Sequence, residues 1–284
     1  QQMQIIEKRK IFYIISLILI IPSLISLFAQ GLNLGIDYQG GSIVSVRIEE
    51  KSPVSAADVR AALEEVNQQK AEVQKSGNDF YIRTNELDQQ QTNELMTVLK
   101  DKFPSVEFLG AESVGATIGK ELTRNALLSL LIAGLLMLVY ITYRFEWAYG
   151  IAAVLAIFHN VIVVLGVFSL FQWEISSSFI AAILTVIGYT INDTIIIFDR
   201  VRENVKMKRK DSFALLLNKS IMQTLNRSIN TVLTTIMPLI ALLLFGGVTI
   251  KFFMTAMMIG FVVGAYTSIF ISGSLLYEIK NKAA

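Results

Sequence analysis

Apolar residues along the chain fall into six long blocks, broken by one long polar excursion and several short polar joins. The blocks cover 11–29, 124–143, 147–171, 175–199, 221–246 and 252–277. A run of about 18 or more apolar residues with few charges reads as a membrane span, and at about 1.5 Å per residue each block crosses about 30 Å of hydrocarbon. The pattern predicts a polytopic α-helical membrane protein with six transmembrane helices. The first block is too long for a signal-peptide core and lacks a small-x-small cleavage site, so it is read as a retained helix.

The excursion, residues 30–122, changes period and predicts an α+β domain between helices 1 and 2. Strands are expected at 42–49, 70–74, 79–84 and 105–114, and helices at 55–68 and 88–102. Ser55 and Asp88 stand where N-caps belong, with Asp58 and Gln91 three residues on as capping-box partners. Gly77-Asn78 marks a turn between two strand-like runs. The order βαββαβ is the ferredoxin-like pattern. The expected organisation is 1–29, 30–122 and a helical bundle over 123–284. No His, Cys or carboxylate constellation stands in the excursion, which points to a binding or mechanical module and to no enzyme.

Glycines bracket this domain: Gly35, Gly40 and Gly41 after the first span, Gly115 and Gly119 before the second. They read equally as hinges or as plain turn glycines. GATIGK (115–120) lacks the spacing of a phosphate loop.

Composition adds two points. The net charge is only +2, but the cations cluster: Lys8, Arg9 and Lys10; then a loop over 200–220 with Arg200, Arg202, Lys206, Lys208, Arg209, Lys210 and Lys219; then Lys280 and Lys282. Six spans put all three clusters on one side. By the positive-inside rule that side is cytoplasmic and 30–122 is extracytoplasmic. Beside membrane spans such a loop suits anionic lipid rather than nucleic acid. The absence of cysteine excludes disulfides and thiolate metal sites, and no metal or organic cofactor is expected.

The candidate chemistry lies inside the bilayer. VIGYTINDTIIIFDR (186–200) carries Asn192 and Asp193 amid apolar residues. A carboxylate there costs roughly 2.5 to 3.5 kcal/mol on insertion scales. Asp193 lies about 9 Å in from Asp199, and Arg227 is at similar depth on the next, antiparallel helix. The two are expected to pair, either as a static clamp or as an ion-coupling pair in which movement of Arg227 changes the protonation of Asp193. Gln223, Arg227, Asn230, Thr231 and Thr234 form one polar stripe, and Thr185, Gly188, Tyr189 and Asn192 another, both expected to turn inward, toward a partner helix or a water-filled path. His159 and Asn160 add polarity to the third span. His159 reads either as a proton relay or as a neutral, hydrogen-bonded histidine. Ala256, Gly260, Gly264, Ser268 and Ser272 recur every fourth residue, a small-residue ridge that marks a helix interface.

GIDYQGG (35–41), SVGATIGKEL (113–122), YRFEW (143–147), VIGYTINDTIIIFDRVREN (186–204) and QTLNRSINTVLTT (223–235) together resemble the SecF family, subunits of the SecDF protein-export complex in the RND-like superfamily. The resemblance spans nearly the whole chain. It implies an RND-like half that pairs with a SecD-type partner, separate or fused, and a start at Gln1 fits a chain trimmed or cut from a longer one. It also implies work with the SecYEG channel on unfolded preprotein in the bacterial cytoplasmic membrane, driven by a proton or sodium gradient. By motif it places Asp193 and Arg227 in the ion pathway. The chain has His159-Asn160 where the family often has His-Asp, and Val114-Gly115-Ala116 where Val-Gly-Pro is common. The competing expectations are half of an RND-like exporter of lipids or small molecules, and a structural stabiliser of the translocon.

Overall fold

The structure is a computed structural model that describes residues 4–50, 53–66, 68, 71–207, 211–247 and 250–283. Lys208, Arg209 and Lys210 of the basic loop, Asn67 of the expected helix 55–68 and Lys70 of the expected strand 70–74 lie outside the described residues. The elements in order are α1 (Arg9–Ala29), α2 (Ile36–Gln39), β1 (Gly41–Ile48), α3 (Ala56–Leu63), β2 (Glu72–Ser76), β3 (Asp79–Thr84), α4 (Gln89–Lys102) and β4 (Val106–Val114). The helices α5 (Ala116–Arg144), α6 (Trp147–Leu170), α7 (Ser177–Met207), α8 (Phe213–Phe245), α9 (Lys251–Tyr266) and α10 (Gly273–Ala283) complete the chain. Two compact units result: Gln1–Asn33 with Leu127–Ala284, and Leu34–Ala126.

In the Leu34–Ala126 unit the four strands form an antiparallel sheet in the order β2-β3-β1-β4. Alternation sends Val44, Val46 and Ile48 of β1 to one face with Val73, Phe80 and Ile82. There Val59 and Leu63 of α3 and Leu95 and Leu99 of α4 close the core. On the opposite face Arg47 donates through Nε to Asp79 Oδ1 at 2.7 Å across the β1–β3 pair. Both capping boxes form. The Ser55 hydroxyl accepts from Asp58 N at 3.2 Å while Ser55 N donates back to Asp58 Oδ2 at 2.8 Å. Asp88 and Gln91 do the same with 2.8 and 3.0 Å bonds. The Ser55 hydroxyl, then its backbone N–H, hold the Asp58 carboxyl below its usual range. Because the folded value is depressed, that contribution is present above the ordinary carboxylate pKa and lost as pH falls through the lowered one. Asp88→Ala removes a cap and is expected to cost about 1 kcal/mol. Hydrogen exchange across 89–102 should show it as faster opening of α4; unchanged rates would count against a role for the cap.

Gly40 and Gly41 have φ of 79° and 134°. A Cβ on Gly40 would lie 3.0 Å from Ala116 Cα, one on Gly41 2.6 Å from Thr84 O, and one on Gly119 2.7 Å from Tyr38 O. These three glycines thus permit backbone to lie against backbone: Gly40 and Gly119 join the 38–41 segment to the start of α5, and Gly41 lies against the end of β3. Gly35 precedes α2 with an ordinary φ of −71°. Gly115 is roomier, with its nearest neighbour, Glu86 Oε1, 3.5 Å from a Cβ.

Among the described residues six helices are long and apolar enough to cross a membrane, so the chain is a multi-pass membrane protein. They are α1, α5, α6, α7, α8 and Lys251–Asn281. The last is not the uninterrupted α-helix its four-residue ridge suggests. Residues Thr267–Ser272 wind as a π-helix between α9 and α10, which shifts the phase of everything after Tyr266. Burial divides the spans in two groups. The most apolar windows of α6, α7 and Lys251–Asn281 are 56, 50 and 50% buried, but those of α1, α5 and α8 only 17, 6 and 11%.

The outer helices pack by their small polar residues. α1 buries only Ser16, Ser23 and Ser26, while Ile14, Ile18 and Ile25 point outward. In hydrocarbon there is no gain from hiding isoleucine, so close approach and hydrogen bonds decide the packed face. Ser26 Oγ meets Ser169 Oγ at 2.8 Å, and Ser16 Oγ meets the Tyr266 hydroxyl at 3.2 Å. Ahead of α1, Ile5 and Ile6 are buried, and Asn218 clasps that segment by accepting from Ile6 N at 3.0 Å and donating to Glu7 Oε2 at 2.7 Å.

Candidate functional site

Asp193 lies on the packed face of α7 and is 6% exposed. Its Oδ1 accepts a 2.6 Å hydrogen bond from Ser228 Oγ on α8, and Oδ2 has no hydrogen-bond partner among the described residues. The expected Asp193–Arg227 pair is not made. Arg227 is exposed, lines a cleft beside the C-terminal ends of α5 and α7 and the first half of α8, and pairs with no carboxylate among the described residues. The reason is helical phase. α8 turns Ser220, Thr224 and Ser228, spaced by four, toward α7, and this rotates the neighbouring Arg227 away.

The same rotation places the predicted stripes. Gln223, Arg227, Asn230 and Thr234 are exposed on α8, with Thr231 half-buried, and on α7 Thr185 and Asn192 are exposed with Gly188 and Tyr189 half-buried. Most of both stripes therefore faces outward from this chain; the exception is Tyr189, whose ring lies 4.4 Å from that of Phe261 in α9. Only Gln223 reaches α7, accepting from Arg200 Nε at 2.7 Å and from Asn204 Nδ2 at 3.0 Å.

Next to Asp193 lies a buried polar cluster that joins α6, α7 and the π segment. Asn160 Nδ2 donates to Thr190 Oγ1 at 2.8 Å and to Gly260 O at 3.1 Å. Ser268 Oγ donates to Thr190 O at 3.1 Å and lies 2.9 Å from Thr194 Oγ1. His159 Nδ1 lies 3.2 Å from Thr267 Oγ1, while its Nε2 is buried with no partner among the described residues. The small-residue ridge creates this proximity. A Cβ on Gly260 would overlap the Val186 side chain, and one on Gly264 would overlap Thr190 Oγ1 and sit 2.9 Å from Asn160 Nδ2. Ser268 thus belongs both to the ridge and to the polar cluster, while Ser272 Oγ bonds back to Ser268 O at 2.6 Å.

Sequence reasoning missed Ser228, Thr190 and Thr194. The signal for Ser228 was available in the i, i+4 series Ser220, Thr224, Ser228, which competes with the Arg227 stripe for the packed side of α8. Ser228 is the one donor to Asp193 among the described residues, so Ser228→Ala leaves a buried carboxyl group with none. We expect a loss of about 1 to 3 kcal/mol, read as a lower unfolding midpoint in detergent. The loss should vanish when Asp193→Ala, which has no acceptor, is already present if the bond carries it; additive losses would refute that.

Residues 94–282 match the family model "Protein export membrane protein SecD/SecF, C-terminal", and residues 25–51 match the "SecD/SecF GG Motif". The chain is 40% identical over 286 residues to the protein translocase subunit SecF of Sebaldella termitidis, covering 98% of this chain and 92% of the relative. It is 38% identical to SecF of Acidaminococcus fermentans, with 99% of each covered. It superposes on the crystal structure of SecDF, a translocon-associated membrane protein from Thermus thermophilus, with a TM-score of 0.91 at 35% identity. That match covers 99% of this chain but 39% of the SecDF chain. With matches that run from the paired glycines through Asp193 to the last span, the chain belongs to the SecD/SecF family of protein export membrane proteins, as a SecF-type member.

Proposed function

We propose that the chain is an ion-coupled subunit of the Sec protein translocase, working with a SecD-type partner, separate or fused, and the SecYEG channel. It sits in the bacterial cytoplasmic membrane with both termini and the 200–220 loop cytoplasmic. The Leu34–Ala126 unit, a ferredoxin-like domain outside the membrane, holds and releases unfolded preprotein. A proton, or sodium ion, moving down its gradient supplies the energy.

The observation that carries this is Asp193, buried in a membrane helix with one hydroxyl donor and no paired cation among the described residues. Such a group is costly as a permanent charge, and proton uptake removes that cost. Proton loss restores a charge that the nearby, unpaired Arg227 can approach. Alternation between the two states would shift α7 against α8. The outward-facing polar stripes on these helices supply the surface on which a SecD-type half docks and completes the ion path. An exporter of lipids would need an apolar tunnel in the outer domain. A cavity there, about 270 Å³, sets Glu49, Glu50, Lys75 and Asn78 beside Ile48, Pro53, Val54 and Phe80, a lining too charged for an acyl chain.

The test is preprotein export by proteoliposomes that hold the channel, the SecD-type partner and this chain. Export should rise when a proton gradient is imposed, or a sodium gradient in its place. Export that responds to neither gradient would refute the ion-coupled role.

A further inference from the structure

The end of the bundle that carries the basic loop holds a cleft of about 560 Å³ between α5, α7 and α8. Five cations line it: Arg144 from α5, Arg200, Arg202 and Lys206 from α7, and Arg227 from α8. They face two carboxylates. Asp199 Oδ1 is shared by Arg202 at 3.1 Å and Arg144 at 3.4 Å, and Glu203 is taken by Arg200 at 2.6 Å. Lys206 and Arg227 pair with no carboxylate among the described residues. Three positive charges thus stay unneutralised around one concavity.

The arginines are also held in place. The Arg144 and Arg202 guanidinium groups lie 5.3 and 5.1 Å from the centre of the Phe145 ring, and Arg202 Nη1 donates to Arg144 O at 3.0 Å. Each guanidinium carries five N–H donors, and one carboxylate oxygen between the Arg144 and Arg202 guanidiniums uses only one donor from each. Planar forks fixed in this way match a phosphate better than a single carboxylate does. The volume falls in the usual range for small-ligand sites.

We propose that this cleft is a binding site for a phosphate group, of the kind borne by anionic lipid headgroups in the leaflet where basic loops lie, or by free phosphate. The site would fasten the α5–α7–α8 corner, where α5 and α8 are the least buried spans, to the lipid surface. Of the five cations only Arg227 also belongs to the proposed ion-coupling pair, and Lys206, on which the test rests, does not, so a failed export experiment leaves the site standing.

The test is thermal unfolding of the full chain in neutral detergent, titrated with phosphatidylglycerol, phosphatidylcholine or inorganic phosphate. Phosphatidylglycerol should raise the midpoint saturably and phosphatidylcholine should not. A shift with inorganic phosphate as well would identify the free anion as sufficient; a shift with the lipid alone would identify the headgroup. Lys206→Gln should weaken the effect roughly ten-fold, the scale of one charge-assisted contact, and adding Arg144→Gln should weaken it further. Lys100→Gln, on the outer unit, should not. Lys206 makes no ion pair, so its variant tests the site even if the double variant folds poorly. An unchanged phosphatidylglycerol response in Lys206→Gln, or no response to either phosphate probe, overturns the proposal.

Discussion

Asp193→Asn is expected to remove the whole gradient-dependent part of export while leaving the gradient-independent part intact. Asparagine is nearly isosteric with aspartate, and its carbonyl oxygen can still accept the Ser228 hydroxyl bond that Asp193 Oδ1 accepts at 2.6 Å. Packing on the buried face of α7 is therefore kept, and the unfolding midpoint should change little. What the substitution removes is the ability to take up and lose a proton. The comparison is export by proteoliposomes with wild type or variant, each with and without an imposed proton gradient. A variant that still responds to the gradient as wild type does would mean that Asp193 and Ser228 form a structural clamp and that energy enters elsewhere. Arg227→Lys gives a second arm: it keeps the charge but loses the planar fork, so an intermediate response would show that the exposed arginine acts through its geometry.

The second large effect is expected at a residue with no polar chemistry. A Cβ on Gly166 of α6 would overlap Ser23 Cβ and Oγ and come within 2.5 Å of Ser23 Cα. Because backbone is among the obstructing atoms, no rotamer change relieves it, and α1 must move off α6. Gly166→Ala is expected to cost about 3 kcal/mol, the upper end for overpacking a close-packed site. The shift should also break the Ser26–Ser169 bond, since both contacts lie on one seam. Unfolding in detergent reads the loss, and Ser23→Gly should restore part of it, because it deletes two of the three obstructing atoms. No loss in the single variant, or no rescue in the double, would show that α1 is not seated as closely as this.

The six spans, the four strands and the two longer helices of the outer unit were legible because each rests on local pattern. The short α2 was not, the first of those helices stops at Leu63, and β2 lies at Glu72–Ser76 instead of 70–74. Long apolar runs have few alternatives to helix in hydrocarbon, where every backbone group must be satisfied within the segment. Ser55 with Asp58 and Asp88 with Gln91 are decided within four residues, and both boxes form. The Gly260–Ser272 ridge was legible from spacing, but its π turn was not, because Thr267–Ser272 changes phase through contacts that α6 and α7 supply. Gly166 gave no signal at all. A lone glycine in an apolar run looks the same whether it touches a neighbour or lipid, and only the seating of α1 distinguishes the two.

The candidate site divides along the same line. Sequence alone singled out Asp193 and Arg227, since an ionisable group in a span stands out whatever its neighbours are. It determined their depth as well, because rise per residue is a property of the helix. Which atoms meet was decided by rotation of α8 about its own axis, and rotation is set by packing. Ser220, Thr224 and Ser228 are small enough to bring α8 against α7, so they take the inner face, the serine receives the carboxylate, and the arginine turns outward. Side chains one position apart lie about 100° apart on a helix. That angle, invisible to any count of residues along the chain, separates the ion pair that the sequence suggested from the serine–aspartate pair that the tertiary structure holds.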